Sequence, residues 1–356
     1  MASKVYRIFP FLLSPVQVPA RKNFINYARL STKMSKPSVY VTRQINQEAL
    51  DLLKQHCEVS SWTGPGPVPK TELLKNIENK HALLCMLTDR VDAEVLNKAG
   101  ANLKVVATMS VGYDHLDTAE IRKRNIKIGY TPDALTDATA ELAVGLLLTT
   151  SRRLLEAAEE ARTGGWQAWS PFWMCGRGLK GSTVGIVGFG RIGQQIARIL
   201  STFNPSRILY YNRSERAKEA REIGAERVTF DELLARSDFV SVSAALTPET
   251  TRMFDRAAFG KMKKTAVFVN TSRGGLVDQE ALVEALRNGT IWGAGLDVTT
   301  PEPLPLDHPL FGLKNCVVLP HIGSAAIETR NEMGIVTARN IIAALNGDAM
   351  PFELVV

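Results

Sequence analysis

From Ser38 onward, short apolar runs alternate with segments whose apolar positions recur at helical spacing. "SVYVTR" reads as a strand and "NQEALDLLKQ" as a helix; "ALLCML" and "KVVATM" are further strands, each followed by a helical segment. A second series starts at Ser182, with strands "TVGIVG", "RILYYN", "DFVSVS", "AVFVN", "IWGAGLD" and "CVVLP", and a last helix lies near "ETRNEMGIVTARNIIAALNG". This β-α-β alternation predicts parallel sheets covered by helices.

Between the two series, "DATAELAVGLLLTTSRRLLEAAEEART" predicts one long helix from Asp137 to Thr163. It is apolar over much of its surface, as suits a helix in a core or between subunits. "GGWQAWSPFWMCGRG" follows as a loop with three tryptophans, broken by Pro and Gly. Such a cluster packs in an interface or in a core. The fold class is therefore α/β, with two Rossmann-like/flavodoxin-like parallel-sheet domains, the cofactor domain inserted into the substrate domain. Residues 1–36 form a leader, 37–135 with 326–356 the substrate-binding domain, and 136–325 a Rossmann domain.

A length of 356 residues suits two domains, and 45% hydrophobic residues suffice to bury a core in each. The net charge of +7 is misleading. Residues 1–36 hold Lys4, Arg7, Arg21, Lys22, Arg29, Lys33 and Lys36, and no acid. Removing these seven from the 43 basic residues leaves 36, equal to the 36 acidic ones. A formally neutral body gives no reason to expect a nucleic-acid or membrane partner. The leader itself suits a mitochondrial transit peptide, or alternatively a disordered extension. A start at Met34 runs directly into the first strand and would give a cytosolic form. No apolar run reaches the ~18 residues of a membrane span. Cys57, Cys85, Cys175 and Cys316 are far apart, so reduced, mostly buried thiols are expected rather than disulfides or a metal site.

"VGIVGFGRIGQQIARIL" carries Gly188, Gly190 and Gly193 in G-x-G-x-x-G spacing, after a strand and before a helix. In that context the first glycine makes the tight turn, the second admits the pyrophosphate, and the third lets helix pack on strand. A methyltransferase-like loop or plain tight packing is the competing reading. Dinucleotide sites that bind NAD place an acid at the end of the next strand, on the ribose hydroxyl. Here that strand ends at Asn212, followed by Arg213, Ser214 and Arg216. An acid would repel a 2′-phosphate, whereas arginines clamp one with forked, charge-assisted hydrogen bonds. The expected cofactor is NADP(H).

Ligands of open α/β sheets bind outside the carboxyl ends of the strands. "AVFVN" ends at Arg273, "IWGAGLD" at Asp297 with Glu302 beyond it, and "CVVLP" at His321. Hydride transfer to a carbonyl needs a general acid for the developing alkoxide, a task that suits histidine. Glu302 is the natural carboxylate partner, and Arg273 suits a substrate carboxylate. Asp297 fits either the site or a structural hydrogen bond. His56, His81, His115 and His308 lack such a context and read as surface or packing residues.

"VGFGRIG", "NTSRGGLVD", "GAGLDVTTPEPLP", "LPHIGSA", "SVGYDHLD" and "TDATAELAVGLLL" together resemble the D-2-hydroxyacid dehydrogenases, over about residues 38–356. "TPEPLPLDHPLFGLKNCVVLPHIGSA" and "GGWQAWSPFWMCGRGL" are most similar to the branch of that family that reduces glyoxylate and hydroxypyruvate. The resemblance implies an Arg273–Glu302–His321 set with His321 as proton donor. It implies backbone contacts from Val111 and Gly112 to a substrate carboxylate. It further implies a homodimer in which Trp169 reaches the partner's site. Arg191, Ile192 and Arg213 to Arg216 would touch NADP, and Ala245, Thr271, Asp297 and Gly323 would line the cofactor pocket. The implied reaction is NADPH-dependent reduction of a small 2-keto acid to a 2-hydroxy acid. Two rival readings are another member of the family, such as a phosphoglycerate dehydrogenase-like enzyme, and a dinucleotide-sensing corepressor-type binding protein.

Overall fold

The computed structural model describes residues 35–355. The leader and its expected mitochondrial address lie outside the described residues, apart from its last positions.

The first lobe runs β1 (Ser38–Val41), α1 (Gln47–His56), β2 (Glu58–Ser61), α2 (Lys70–Ile77), β3 (Ala82–Cys85), α3 (Ala93–Ala99), β4 (Val105–Thr108), α4 (Thr118–Lys123) and β5 (Lys127–Gly129). Helices α5 (Thr136–Ser151) and α6 (Leu154–Thr163) lead out of it. The second lobe runs β6 (Thr183–Val187), α7 (Arg191–Ser201), β7 (Arg207–Tyr211), α8 (Ala217–Ile223), β8 (Ala225–Arg227), α9 (Phe230–Arg236), β9 (Phe239–Val242), α10 (Arg256–Lys261), β10 (Val267–Asn270), α11 (Gln279–Arg287), β11 (Gly293–Leu296) and β12 (Cys316–Val318). Helix α12 (Ile327–Asn346) closes the chain.

Every strand pairing is parallel. The orders are β2-β1-β3-β4-β5 and β12-β11-β10-β9-β6-β7-β8. In the second sheet the order reverses between β6 and β9, which opens a crevice at their carboxyl ends. Successive residues of a strand point to opposite faces, so each strand feeds two cores. Val39 and Val41 enter one core of the first lobe with Leu84 and Ala107, while Tyr40 enters the other with Leu83 and Val106. In the second lobe Phe268 packs among Phe254 and Phe259 on one face, and Val267 and Val269 pack with α5 and α7 on the other. Helix α12 returns to the first lobe, where Ile335, Ala338 and Ile341 join its core.

Three strands have no counterpart in the apolar pattern of the sequence: β2, β5 and β8. All three are sheet edges. Their sequences, "EVSS", "KIG" and "AER", are short and polar. An edge strand is paired on one side only and needs no continuous apolar run. The expected single helix from Asp137 to Thr163 is also corrected: it is two. Ser151 gives its carbonyl to Arg177 N at 2.8 Å, and Arg153 adopts φ 56°, which ends α5. Arg153 then pairs with Glu156 through two 2.8 Å bonds and opens α6. Of the cysteines, Cys57 and Cys85 are buried and Cys316 is partly so, but Cys175 is exposed. The tryptophan loop packs in no core of this chain: Trp169 is 83% exposed and Phe172 87%.

Candidate active site

The glycine loop sits at the crevice. Gly188 has φ 90°, and a Cβ there would strike the Ser243–Ala244 backbone. A Cβ at Gly193 would strike the Gly188 carbonyl. Both glycines are thus required by the protein's own packing. Gly190 differs, because a Cβ there would meet nothing within 4 Å. Gly190 also caps α7 without a side-chain bond, so the first amides of the helix stay free for an anion. Buried hydroxyls of Ser243 and Thr271 line the same crevice with no partner among the described residues. Ile192, Ala245 and Gly323 line it too. Free amides, open space at Gly190 and orphaned hydroxyls all fit a dinucleotide.

At the end of β7, Asn212 takes the place of an acid and does structural service. Its Oδ1 accepts from Phe189 N at 3.0 Å, and its Nδ2 donates to Ser214 O at 2.8 Å. That ties the glycine loop to the arginine turn. Arg213 and Arg216 are exposed. Arg227, on the edge strand β8, places Nη2 3.5 Å from the carbonyls of both Asn212 and Arg213. Arg191 pairs with Asp133 of the other lobe at 2.5 Å, and both ends of this pair are solvent-accessible.

The strand ends bring Arg273, Glu302 and His321 together. His321 has φ 57°, a left-handed conformation uncommon for a side chain with a Cβ. Asp297 holds it there: its carbonyl accepts from His321 N at 2.9 Å. Its carboxylate accepts from Ile322 N at 2.8 Å and Gly323 N at 2.7 Å. Both carboxylate oxygens of Asp297 are therefore committed to the turn, although the residue borders the cavity. Burial outweighs these amides and raises its pKa.

His321 Nδ1 lies 2.8 Å from Glu302 Oε2, and Glu302 Oε1 accepts from Thr299 N at 3.0 Å. Burial opposes the Glu302 charge. His321, the Thr299 amide and the Arg273 charge outweigh it and hold the carboxyl below its usual range. With Nδ1 engaged, His321 Nε2 is the ring nitrogen left for a ligand.

Arg273 is placed by a buried asparagine. Asn270 Nδ2 donates to Arg273 O at 2.8 Å, and Asn270 Oδ1 accepts from Ser272 N at 3.0 Å. The guanidinium crosses to the first lobe, where Nε donates to Asp114 Oδ1 at 2.9 Å. Burial alone would raise the Asp114 pKa, but the Arg273 charge and hydrogen bond carry it below the usual range. A Cβ at Gly112 would run into this guanidinium, so a larger residue there would push Arg273 from its place. Val111, Gly112, Arg273 and His321 line one cavity of about 430 Å³. A second cavity, of about 860 Å³, lies beside it and shares His321 and Asp297. Trp169 lines neither cavity of this chain.

Asp114, Asn270 and Asn212 carry no label in the residue pattern. Asp114 had one available signal, its place in "SVGYDHLD" beside Val111 and Gly112. His115, read as a surface or packing residue, is buried, with Nε2 3.0 Å from Thr108 Oγ1.

Residues 144–323 match the family model of the D-isomer specific 2-hydroxyacid dehydrogenase NAD-binding domain. The chain belongs to the D-2-hydroxyacid dehydrogenase family. It is 56% identical over 318 residues to the glyoxylate reductase/hydroxypyruvate reductase of Mus musculus, covering 89% of this chain and 97% of that one. A solved structure of a Thermus thermophilus protein aligns with a TM-score of 0.84 at 45% identity, covering 89% of this chain and all of that one. The NADPH-dependent glyoxylate/hydroxypyruvate reductase of Sinorhizobium meliloti, solved with NADP and malonate, aligns with a TM-score of 0.79 at 30% identity. That alignment covers 90% of this chain and 97% of that structure. This D-2-hydroxyacid dehydrogenase is thus an oxidoreductase with a Rossmann cofactor lobe.

The Asp114–Arg273 link has a pH signature. The folded pKa of Asp114 lies below its unfolded value, so its contribution to stability is present above the ordinary carboxylate range. It is lost as pH falls through the folded value. Asp114→Asn should therefore destabilise the protein most near neutrality and least once the pH has fallen through the folded value, below the ordinary carboxylate range. Denaturant unfolding of both proteins across that range measures the gap, and a pH-independent gap would reject the charge pairing.

Proposed function

We propose that this enzyme reduces glyoxylate to glycolate and hydroxypyruvate to D-glycerate, with NADPH as the hydride source. The observation that carries the reading is the His321–Glu302 pair, 2.8 Å apart, on the same cleft as Arg273 and the Val111–Gly112 backbone. The names of the Mus musculus and Sinorhizobium meliloti relatives support the substrate class.

The residues divide the work. Arg273 and the amides of Val111 and Gly112 bind the substrate carboxylate and turn its carbonyl toward His321. His321 holds a proton on Nε2 and delivers it to the oxygen that becomes the hydroxyl. Glu302 stays ionised at neutral pH and fixes the ring through Nδ1. Asp297 keeps the turn that presents the ring. NADPH, when bound, supplies the hydride.

The glycine loop with the free N-terminus of α7 would take the pyrophosphate, with Arg191 and Ile192 beside it. Arg213, Ser214 and Arg216 would take the 2′-phosphate, and Ala245, Thr271 and Gly323 would line the nicotinamide side. The exposed Trp166, Trp169, Phe172 and Trp173, with Leu154 and Leu155 of α6, support a homodimer in which this apolar surface is covered by a second copy. Trp169 would then reach the partner's cleft and limit substrate size.

Loss of reduced nicotinamide absorbance, with glyoxylate and hydroxypyruvate and with NADPH and NADH in parallel, tests the reaction. Turnover with both acids and a strong NADPH bias is expected; a folded protein that binds NADPH but reduces neither acid would refute the substrate reading. His321→Gln should lower kcat by about 10²–10⁴-fold and leave NADPH binding nearly unchanged. Unaltered turnover would remove the proton-donor role. Arg213→Ala combined with Arg216→Ala should raise the NADPH KM by about tenfold or more and spare NADH. Equal effects on both cofactors would defeat the phosphate clamp.

A further inference from the structure

His115 lies outside the Arg273–Glu302–His321 set, yet it is only 6% exposed and a chain of hydrogen bonds runs from it to the cleft. Its Nε2 is 3.0 Å from Thr108 Oγ1, and Thr108 Oγ1 is 2.8 Å from Ser110 Oγ. Ser110 Oγ donates to the Gly112 carbonyl at 2.7 Å. Counting protons sets the direction. Each hydroxyl has one proton to give. Ser110 gives its proton to a carbonyl, which has none to return, so Thr108 donates to Ser110. The Thr108 proton is then used, so Thr108 accepts from His115. That places the imidazole hydrogen on Nε2 and leaves Nδ1 a bare lone pair. Nδ1 is indeed a buried ring nitrogen with no partner among the described residues. Burial pushes the His115 pKa down to about 4 despite the opposing pull of Asp114, with Arg273 and Arg90 adding to the push. The ring is neutral near pH 7, and this tautomer persists.

The chain ends on a residue that meets Arg273 on its other side. Gly112 packs so closely on the Arg273 guanidinium that no Cβ fits between them. Arg273 in turn bonds Asp114, in the same loop, at 2.9 Å. Hydrogen bonds that polarise one another along a buried chain act as a unit.

We propose that His115 is a positioning residue for the reaction. The ordered chain His115–Thr108–Ser110 orients the Gly112 peptide against Arg273, so that the loop amides and the guanidinium form one rigid carboxylate cradle. This rests on the carboxylate-binding reading given under Proposed function. His115 touches neither substrate nor cofactor, and its effect passes through the loop.

The test uses the full chain with His115→Leu, His115→Gln and Thr108→Val. Glyoxylate KM and kcat are measured with NADPH, NADPH affinity is measured separately by fluorescence titration, and amide hydrogen exchange is followed over residues 110–114. His115→Leu removes the donor and should raise glyoxylate KM by about tenfold, with a smaller change in kcat and no change in NADPH affinity. Exchange in the loop should quicken. His115→Gln, whose side-chain amide reaches the place of Nε2 and can still donate to Thr108, should recover much of the loss; a purely space-filling role would not predict that rescue. Thr108→Val cuts the chain at its middle with little change of shape and should match His115→Leu, which keeps the question decidable if the leucine variant fails to fold. Unchanged KM and unchanged loop exchange in a folded variant would overturn the proposal, as would a parallel loss of NADPH binding. A wild-type chain that ignores glyoxylate would count against the substrate reading instead, and the exchange measurement would still decide the chain.

Discussion

The site depends on one buried carboxylate. Asp297 accepts three hydrogen bonds across a single turn, from His321 N to its carbonyl and from Ile322 N and Gly323 N to its side chain. Without them, the left-handed conformation of His321 has nothing to hold it, because a residue with a Cβ gains little by adopting it alone. That turn aims the imidazole at Glu302 and at the cleft. Two acids thus lie near one histidine and do different work. Asp297 shapes the backbone, and burial pushes its pKa up. Glu302 bonds the ring, which helps hold its pKa down despite burial.

Opposite this turn stands a second device of the same kind. Arg273 comes from the cofactor lobe, but its guanidinium is anchored on Asp114 of the other lobe and packs on Gly112. The link spans the cleft, so the position of the guanidinium is set by both lobes at once. The first lobe meets it with a loop whose peptide is pinned from behind by Ser110. Donors preorganised in this way would avoid the reorganisation that a flexible loop needs when a charged ligand arrives.

At the cofactor end the same economy appears. The glycines at positions 188 and 193 are required by backbone contacts within the protein, and only Gly190 faces open space. Asn212 occupies the place where an acid would meet a ribose hydroxyl, and it uses both ends of its amide to join the glycine loop to the arginine turn. The arginines remain exposed and available for a phosphate.

The strands that the sequence made legible carry continuous apolar runs; they are the inner strands of both sheets and one edge strand, β12. Edge strands β2, β5 and β8 did not announce themselves, since polar residues serve as well where one side is solvent. The glycine loop, Arg273, Glu302 and His321 were legible for a related reason: ligands of such sheets meet strand ends, and strand ends can be counted. Their partners were not. Asp114 and Arg273 lie 159 positions apart, and His115, Thr108 and Ser110 become a chain only when one loop folds over the end of β4. The break between α5 and α6 is likewise tertiary, since the amide that captures the Ser151 carbonyl comes from Arg177. Local periodicity and residue chemistry determined the layers and the reacting groups. The hydrogen-bond partners that hold those groups in place were decided by long-range contacts, which no pattern along the chain encodes.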